Sequence, residues 1–93
     1  MPTFRNKPVD VVLDVRSRLE FFFGHLPSAR CIPLSALEAE CARRPELSPD
    51  RRVLVYCASG ARSAMAAQLL RRLGFRHVVD GGALATARQA FTP

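Results

Sequence analysis

The apolar positions along the chain fall into two kinds of run. Val11-Val12-Leu13-Asp14-Val15 and Val53-Leu54-Val55-Tyr56 are nearly continuous, with no polar alternation. Such runs, rich in β-branched residues, predict strands covered on both faces, as in a parallel sheet. Between residues 62 and 73 the period changes: Met65, Leu69, Leu70 and Leu73 recur near helical spacing, and Gly74 follows as a stop. Residues 16–23 read as a short helix ending at Gly24, and residues 24–28 as a turn-rich loop. Ile32 precedes Pro33 and is pushed out of the helical region, which predicts a short extended piece. Ser35 with Glu38 three residues on reads as a capping box, opening a helix to about Arg44. Val78-Val79 predicts a third short strand, broken by Gly81-Gly82, and an alanine-rich helix from about residue 83 closes the chain.

Strands alternating with helices imply parallel crossover connections, hence an α/β fold with a parallel β-sheet flanked by helices. The length of 93 residues suits one minimal domain, read as residues 1–93. A hydrophobic fraction of 48% supplies an ordinary core and argues against disorder. The net charge is +6 and almost all of the positive charge is arginine, Lys7 being the only lysine. That balance favours anionic partners without choosing among oxyanions, nucleic acid and acidic proteins. The pairs Arg43-Arg44, Arg51-Arg52 and Arg71-Arg72 are dispersed and no RNA-binding or zinc-finger signature accompanies them. They are read as solvated faces, not as a nucleic-acid surface. No run approaches membrane-spanning length and the first residues lack an apolar signal core, so a cytoplasmic protein with no membrane partner is expected.

Three widely spaced cysteines, Cys31, Cys41 and Cys57, argue against a disulfide framework, and no CxxC pair is present. With only His25 and His77 added, a metal site is not expected. Cys57 differs from the others by its setting. It ends the strand VLVYC, is followed by the small residues Ala58, Ser59, Gly60 and Ala61, and Arg62 then opens a helix. A thiol is inert until it becomes a thiolate. Helix-start N–H groups, a nest of loop amides and a guanidinium all favour an anion there. Gly60 supplies the positive φ that a tight loop needs. A buried cysteine at a strand end is by itself more often a small hydrophobe; the order strand, Cys, small residues, Gly, Arg, helix reverses that reading. Ser59 either caps the turn or offers its hydroxyl to a substrate, and Ser63 serves the helix start.

Three blocks in order resemble the rhodanese-like domain over residues 9 to about 86. They are DVRSRLEFFFGHLPSA from Asp14 followed by Ile32-Pro33-Leu34, the segment VYCASGARS, and Asp80-Gly81-Gly82 before the last helix. The resemblance implies a sulfurtransferase without cofactor. In it Cys57 accepts a sulfane sulfur from thiosulfate or a persulfide donor and passes it to cyanide, a thiol or a protein acceptor, through a covalent persulfide. It also implies that residues 58 to 62 form the cradle, with Arg62 stabilising charge. Asp14 and Arg16 would organise the loop by hydrogen bonds, with Ser63 supporting it, and Glu20 and His25 take structural roles. The spacing from Cys57 to Arg62 is C-x4-R, one residue shorter than in related phosphatases and arsenate reductases, which favours sulfur over a larger oxyanion.

The chain departs from the family pattern in two places. A tryptophan usual after the Gly-Gly pair is replaced by Thr86, and only 13 residues precede Asp14, so an edge-trimmed fold is expected. Phe21, Phe22 and Phe23 are read as a core pair plus one partly exposed ring, leaving a monomer or a homodimer open. Cys31 and Cys41 are read as packing residues, with a resolving thiol as the sharper alternative. A second functional reading is a non-catalytic or carrier domain that docks on a partner protein.

Overall fold

The computed structural model describes residues 1–93. The chain opens with two short strands, β1 (Thr3–Phe4) and β2 (Lys7–Pro8), paired antiparallel. Arg5 and Asn6 between them have φ of 51° and 64°. Positive φ at both central residues is the signature of a tight hairpin whose twist matches its strands. There follow β3 (Val11–Asp14), α1 (Arg18–Phe22), β4 (Arg30–Cys31), a 3-10 turn (Leu34–Ala36), α2 (Leu37–Arg43) and β5 (Arg52–Cys57). The rest is α3 (Ala61–Arg72), β6 (His77–Ala83), α4 (Leu84–Ala90) and β7 (Phe91–Thr92).

Four strands form one parallel sheet in the order β4-β3-β5-β6, with Val11 opposite Val53 and Asp14 opposite Tyr56. Successive side chains of a strand point to opposite faces. Val53, Val55 and Cys57 therefore pack with Leu13, with Leu37 of α2 and with Ala66, Ala67 and Leu70 of α3. Leu54 and Tyr56 pack on the other face with Val12, Leu26, Phe4 of β1 and Ala87 of α4. Helices cover both faces, which is why β3 and β5 carry unbroken apolar runs. Gly74, at φ 94°, ends α3: its N–H bonds Arg71 O and the N–H of Phe75 reaches back to Leu70 O, both at 3.0 Å. This is the double bond of a Schellman stop, with Phe75 buried as its apolar partner.

The structure corrects four expectations. Ser35 caps nothing: it lies in the 3-10 turn, and α2 starts at Leu37 behind Ala36 with no side-chain cap. Leu34 N–H is tied to Val15 O at 3.1 Å, so the tertiary anchor and not Ser35 sets the entry of that helix. The working capping box is Ser17 with Glu20, at the start of α1. Gly81-Gly82 does not break the third strand either; β6 continues to Ala83. A Cβ at Gly81 would stand 3.0 Å from Leu54 Cδ1 and 3.2 Å from Val55 O, and the register with β5 shifts there. The glycines let β6 approach β5 through an irregularity. None of the three phenylalanines enters the core: Phe21 is half-buried, stacked on His25, while Phe22 and Phe23 are 79% and 78% exposed. Helix α1 is too short to wrap a face, and no residue of it is buried. Finally, the short N-terminal segment is not bare. It pairs with β7 in a second sheet, order β2-β1-β7, and buries Phe4. Thr86 is exposed, and Ala87 seats α4 on the sheet.

Candidate functional site

Cys57 ends β5 at the carboxyl edge of the parallel sheet, where open α/β sheets place their ligands. Its side chain is fully buried. Residues 58–60 turn the chain into α3, and Gly60 takes φ 104° as the residue before the helix. There is room for a Cβ at Gly60, the nearest atom being Gly82 Cα at 3.9 Å. The position therefore requires glycine for its backbone angle and not for space. That angle turns the Gly60 N–H onto Cys57 Sγ, at 3.0 Å.

Burial pushes the Cys57 thiol up. The N–H groups of Ser63 and Gly60, the Ser63 hydroxyl and the N–H of Ser59 outweigh it, and the net shift is downward. Hydrogen bonds to the charged form thus prevail over desolvation. Ser63 is buried, and its hydroxyl donates to Gly60 O at 3.0 Å, fixing the loop while facing the sulfur. The other two thiols shift the opposite way. Burial pushes up both Cys31 and Cys41, each half-buried. Cys31 is opposite Asp14, which is opposite Tyr56, so it stands two strands from β5. Two strand spacings are about 10 Å, beyond the reach of a disulfide without backbone movement.

The remaining anticipated residues lie at the same edge of the sheet with different partners. Asp14 is fully buried and accepts from Arg16 Nε at 3.0 and 3.1 Å, from Arg16 Nη2 at 2.7 Å and from the Arg16 N–H at 3.0 Å. Arg16 Nη2 also donates to Gly24 O at 2.6 Å. The pair therefore pins the turn after α1 to β3, and its hydrogen bonds do not extend to residues 58–62. Tyr56, raised by burial, accepts the Leu26 N–H at 3.0 Å and holds the next stretch of the same loop. Ala58, Ser59 and Ala61 are exposed at the loop surface.

Arg62 does not present a free fork. Its Nη1 and Nη2 donate to Glu20 Oε1 and Oε2 at 2.7 and 2.9 Å. The Arg62 guanidinium holds the Glu20 carboxyl down to about 2, helped by the N–H and hydroxyl of Ser17. Glu20, expected to be structural, is thus tied to the candidate site through Arg62, a pairing the sequence did not reveal. Its only local signal is the Ser17-x-x-Glu20 spacing, which speaks of a helix cap, while its partner is 42 residues away.

An open groove of about 310 Å³ borders Arg62, lined by Val15, Arg16 and Ser17 and by Pro33, Leu34 and Ser35. A groove of about 330 Å³ lies at the opposite edge, around Lys7, Arg52 and His77, remote from the loop. No three His, Cys, Asp or Glu side chains sit together as metal ligands. No helix is long and apolar enough to cross a membrane.

The sequence profile of the Rhodanese-like domain matches residues 3–88. The chain belongs to the rhodanese-like domain family. It is similar to the uncharacterized protein YqhL of Bacillus subtilis (strain 168), 44% identical over 69 residues, which are 74% of this chain and 52% of YqhL. The chain thus spans about half the length of that relative. A protein of Allochromatium vinosum named Sulfurtransferase is 38% identical over 82 residues, covering 85% of this chain and 74% of that one. The human single-domain sulfurtransferase TSTD1 superposes with a TM-score of 0.73 at 30% identity, covering 85% of this chain and 80% of that one. The parallel sheet flanked by helices is thus the rhodanese fold, and Cys57 occupies the strand-to-helix loop of this rhodanese-like domain.

Proposed function

We propose that this rhodanese-like domain transfers sulfane sulfur through a persulfide on Cys57. The observation that carries the reading is the loop around Cys57 Sγ: the Gly60 N–H at 3.0 Å, with Ser59 and Ser63, favours the thiolate within a buried setting. The thiolate attacks the outer sulfur of a donor, thiosulfate or a persulfide. A new S–S bond forms on Cys57, the donor's own S–S bond breaks, and sulfite or a thiolate departs. The loop amides hold the resulting Cys57–S–S⁻ as they hold the thiolate. A thiophilic acceptor (cyanide, a thiol or an acceptor protein) then takes the outer sulfur and returns Cys57 to its thiolate. The order is ping-pong. Arg62 adds charge only in concert with Glu20, and Asp14 with Arg16 positions the neighbouring turn.

A carrier role, with sulfur handed between proteins and little turnover of small donors, is favoured by a separate observation. Leu19, Phe22 and Phe23 are all exposed on or beside α1, the helix that carries Glu20. Intact mass of the reduced protein after a sulfur donor, and again after cyanide, separates the readings. One sulfur atom gained at Cys57 and lost to cyanide supports turnover. A gain at Cys57 without repeated turnover of cyanide supports the carrier. Absence of any gain overturns sulfur transfer by Cys57.

A further inference from the structure

Away from Cys57, the parallel sheet ends on an open strand. Strand β6 pairs with β5 alone, so its outer edge has no neighbouring strand. Such an edge is a template for another chain, and proteins usually cover it or crowd it with charge. Side chains bond the β6 backbone at two points: Arg71 Nη2 donates to Val78 O at 3.3 Å, and the Gly82 N–H donates to Asp80 at 2.9 Å. Val79 shares a sheet face with its register partner Leu54, yet Leu54 is fully buried and Val79 is 39% exposed. Opposite stands the β1–β2 hairpin, and the space between is a trough. The groove of about 330 Å³ and a neighbouring one of about 180 Å³ share Lys7, Pro8, Val9 and Val79 in their walls. The first also reaches His77 at the start of β6, and the second reaches Phe4 on β1. Val9 and Phe4 are buried and make the floor apolar. The charged side chains of both walls are all cationic: Arg5, Lys7, Arg52 and Arg76. Arg52 is committed to Asp10 and Arg76 to Asp50, whereas Arg5 and Lys7 have no carboxylate partner.

We propose that this trough is a docking site for an extended acidic segment of another protein, which adds to the free edge of β6 as a further strand. Successive side chains of a strand point to opposite sides. A segment that alternates aliphatic and acidic residues sets the first kind on Val9 and Val79 and the second beside Arg5 and Lys7. Main-chain hydrogen bonds to β6 give the affinity, and the two rows of side chains give the selection. A second copy of this chain is the wrong occupant. It carries the same net charge of +6 and brings cationic walls against cationic walls. The trough lies where β5 and β6 begin, around Arg52, Val53 and His77, while Cys57 ends β5. The docking site is therefore separate from the sulfur chemistry and stands whether or not Cys57 transfers sulfur.

The test is amide chemical-shift mapping on the isotope-labelled full chain. The probes are two octapeptides with blocked ends, one alternating valine and glutamate, the other valine and lysine. The acidic peptide is expected to shift the amides of residues 7–9 and 77–80, to slow hydrogen exchange along β6, and to leave residues 57–62 unmoved. The basic peptide is expected to bind at least about tenfold more weakly, since it meets walls of its own sign. Lys7 is exposed, so Lys7→Glu is expected to keep the rest of the spectrum unchanged. It should weaken the acidic peptide roughly fivefold, the scale of reversing one surface charge. Three results overturn the inference. The acidic peptide shifts nothing in the trough, the basic peptide binds there as well as the acidic one, or the shifts scatter over every basic surface. The last would mean that the net charge of +6 does the binding without the trough.

Discussion

The N–H of Gly60 points at the sulfur of Cys57 from 3.0 Å, and it does so because Gly60 holds φ at 104°. One backbone angle thus links loop shape to thiol chemistry. Gly60→Ala puts a Cβ on a left-handed backbone, at a cost of about 1–3 kcal/mol if the angle is kept. If the angle relaxes, the N–H leaves the sulfur. In that second case the thiol pKa rises and the acid limb of the pH–rate profile moves to higher pH. Thiol titration by ultraviolet absorbance, the profile of sulfur gain and urea unfolding check it together; an unmoved profile in a variant of unchanged stability would show that the amide is dispensable.

Cys57→Ser is expected to abolish sulfur transfer and leave the fold intact. The hydroxyl is small enough for the same loop and meets the same N–H groups. Thermal unfolding is expected within about 5 °C of the wild type, the scale of roughly 1 kcal/mol in a domain of this size. Residual transfer at a tenth of the wild-type rate would remove Cys57 from the mechanism.

Arg62→Ala removes the partner of Glu20 and the positive charge that acts on Cys57. The Cys57 pKa is expected to rise and use of thiosulfate to fall by about tenfold or more. Double mutation with Glu20→Gln should restore part of the loss, because the two changes act on one ion pair. Strict additivity would mean that the pair is not the unit that matters.

Acid stability follows from the same carboxylates. Glu20 is held at about 2 against an ordinary 4.5, and Asp10, bonded to Arg52, at about 2 against 3.8. Between those values the unfolded chain binds more protons than the folded one. Their contribution is complete above about pH 4.5 and drains away as the pH falls toward 2. Both pairs are partly exposed, so the gain is modest and salt-sensitive. Melting temperatures at pH 7, 4 and 2.5 should decline less steeply in the variant Glu20→Gln with Asp10→Asn.

Gly81→Ala forces a methyl group against Leu54 Cδ1 and the carbonyl of Val55. The leucine tip can yield and the backbone oxygen cannot, so a loss of about 1–3 kcal/mol is expected in urea unfolding. Ser at Phe22 or Phe23, both open to solvent, should shift stability by no more than about 0.5 kcal/mol.

The parts legible in the sequence are those whose signal is local. Val53 to Tyr56 announce a doubly covered strand because both faces are buried, and Gly74 marks the end of α3 because a helix stop needs one left-handed residue. The parts that escaped depend on distant partners. The pattern Ser-x-x-Glu occurs at residues 17–20 and 35–38, and only the tie of Leu34 to Val15 decides which one caps a helix. Gly81-Gly82 resembles a break until β5 is seen pressing on it. Arg62 carries the same local context with or without Glu20, so its occupied fork is invisible before folding.

The pairing of β1 with β7 sets Thr3 beside Thr92 and Phe4 beside Phe91. Residues nearly the full chain apart thus share one small ladder, with Phe4 beneath it. Fraying of β1 therefore strips β7 of its ladder, whereas β1 keeps β2 when β7 frays. Whatever frees residues 3–4 should free 91–92 with them, so the tail of the molecule stays in place only as long as its head does.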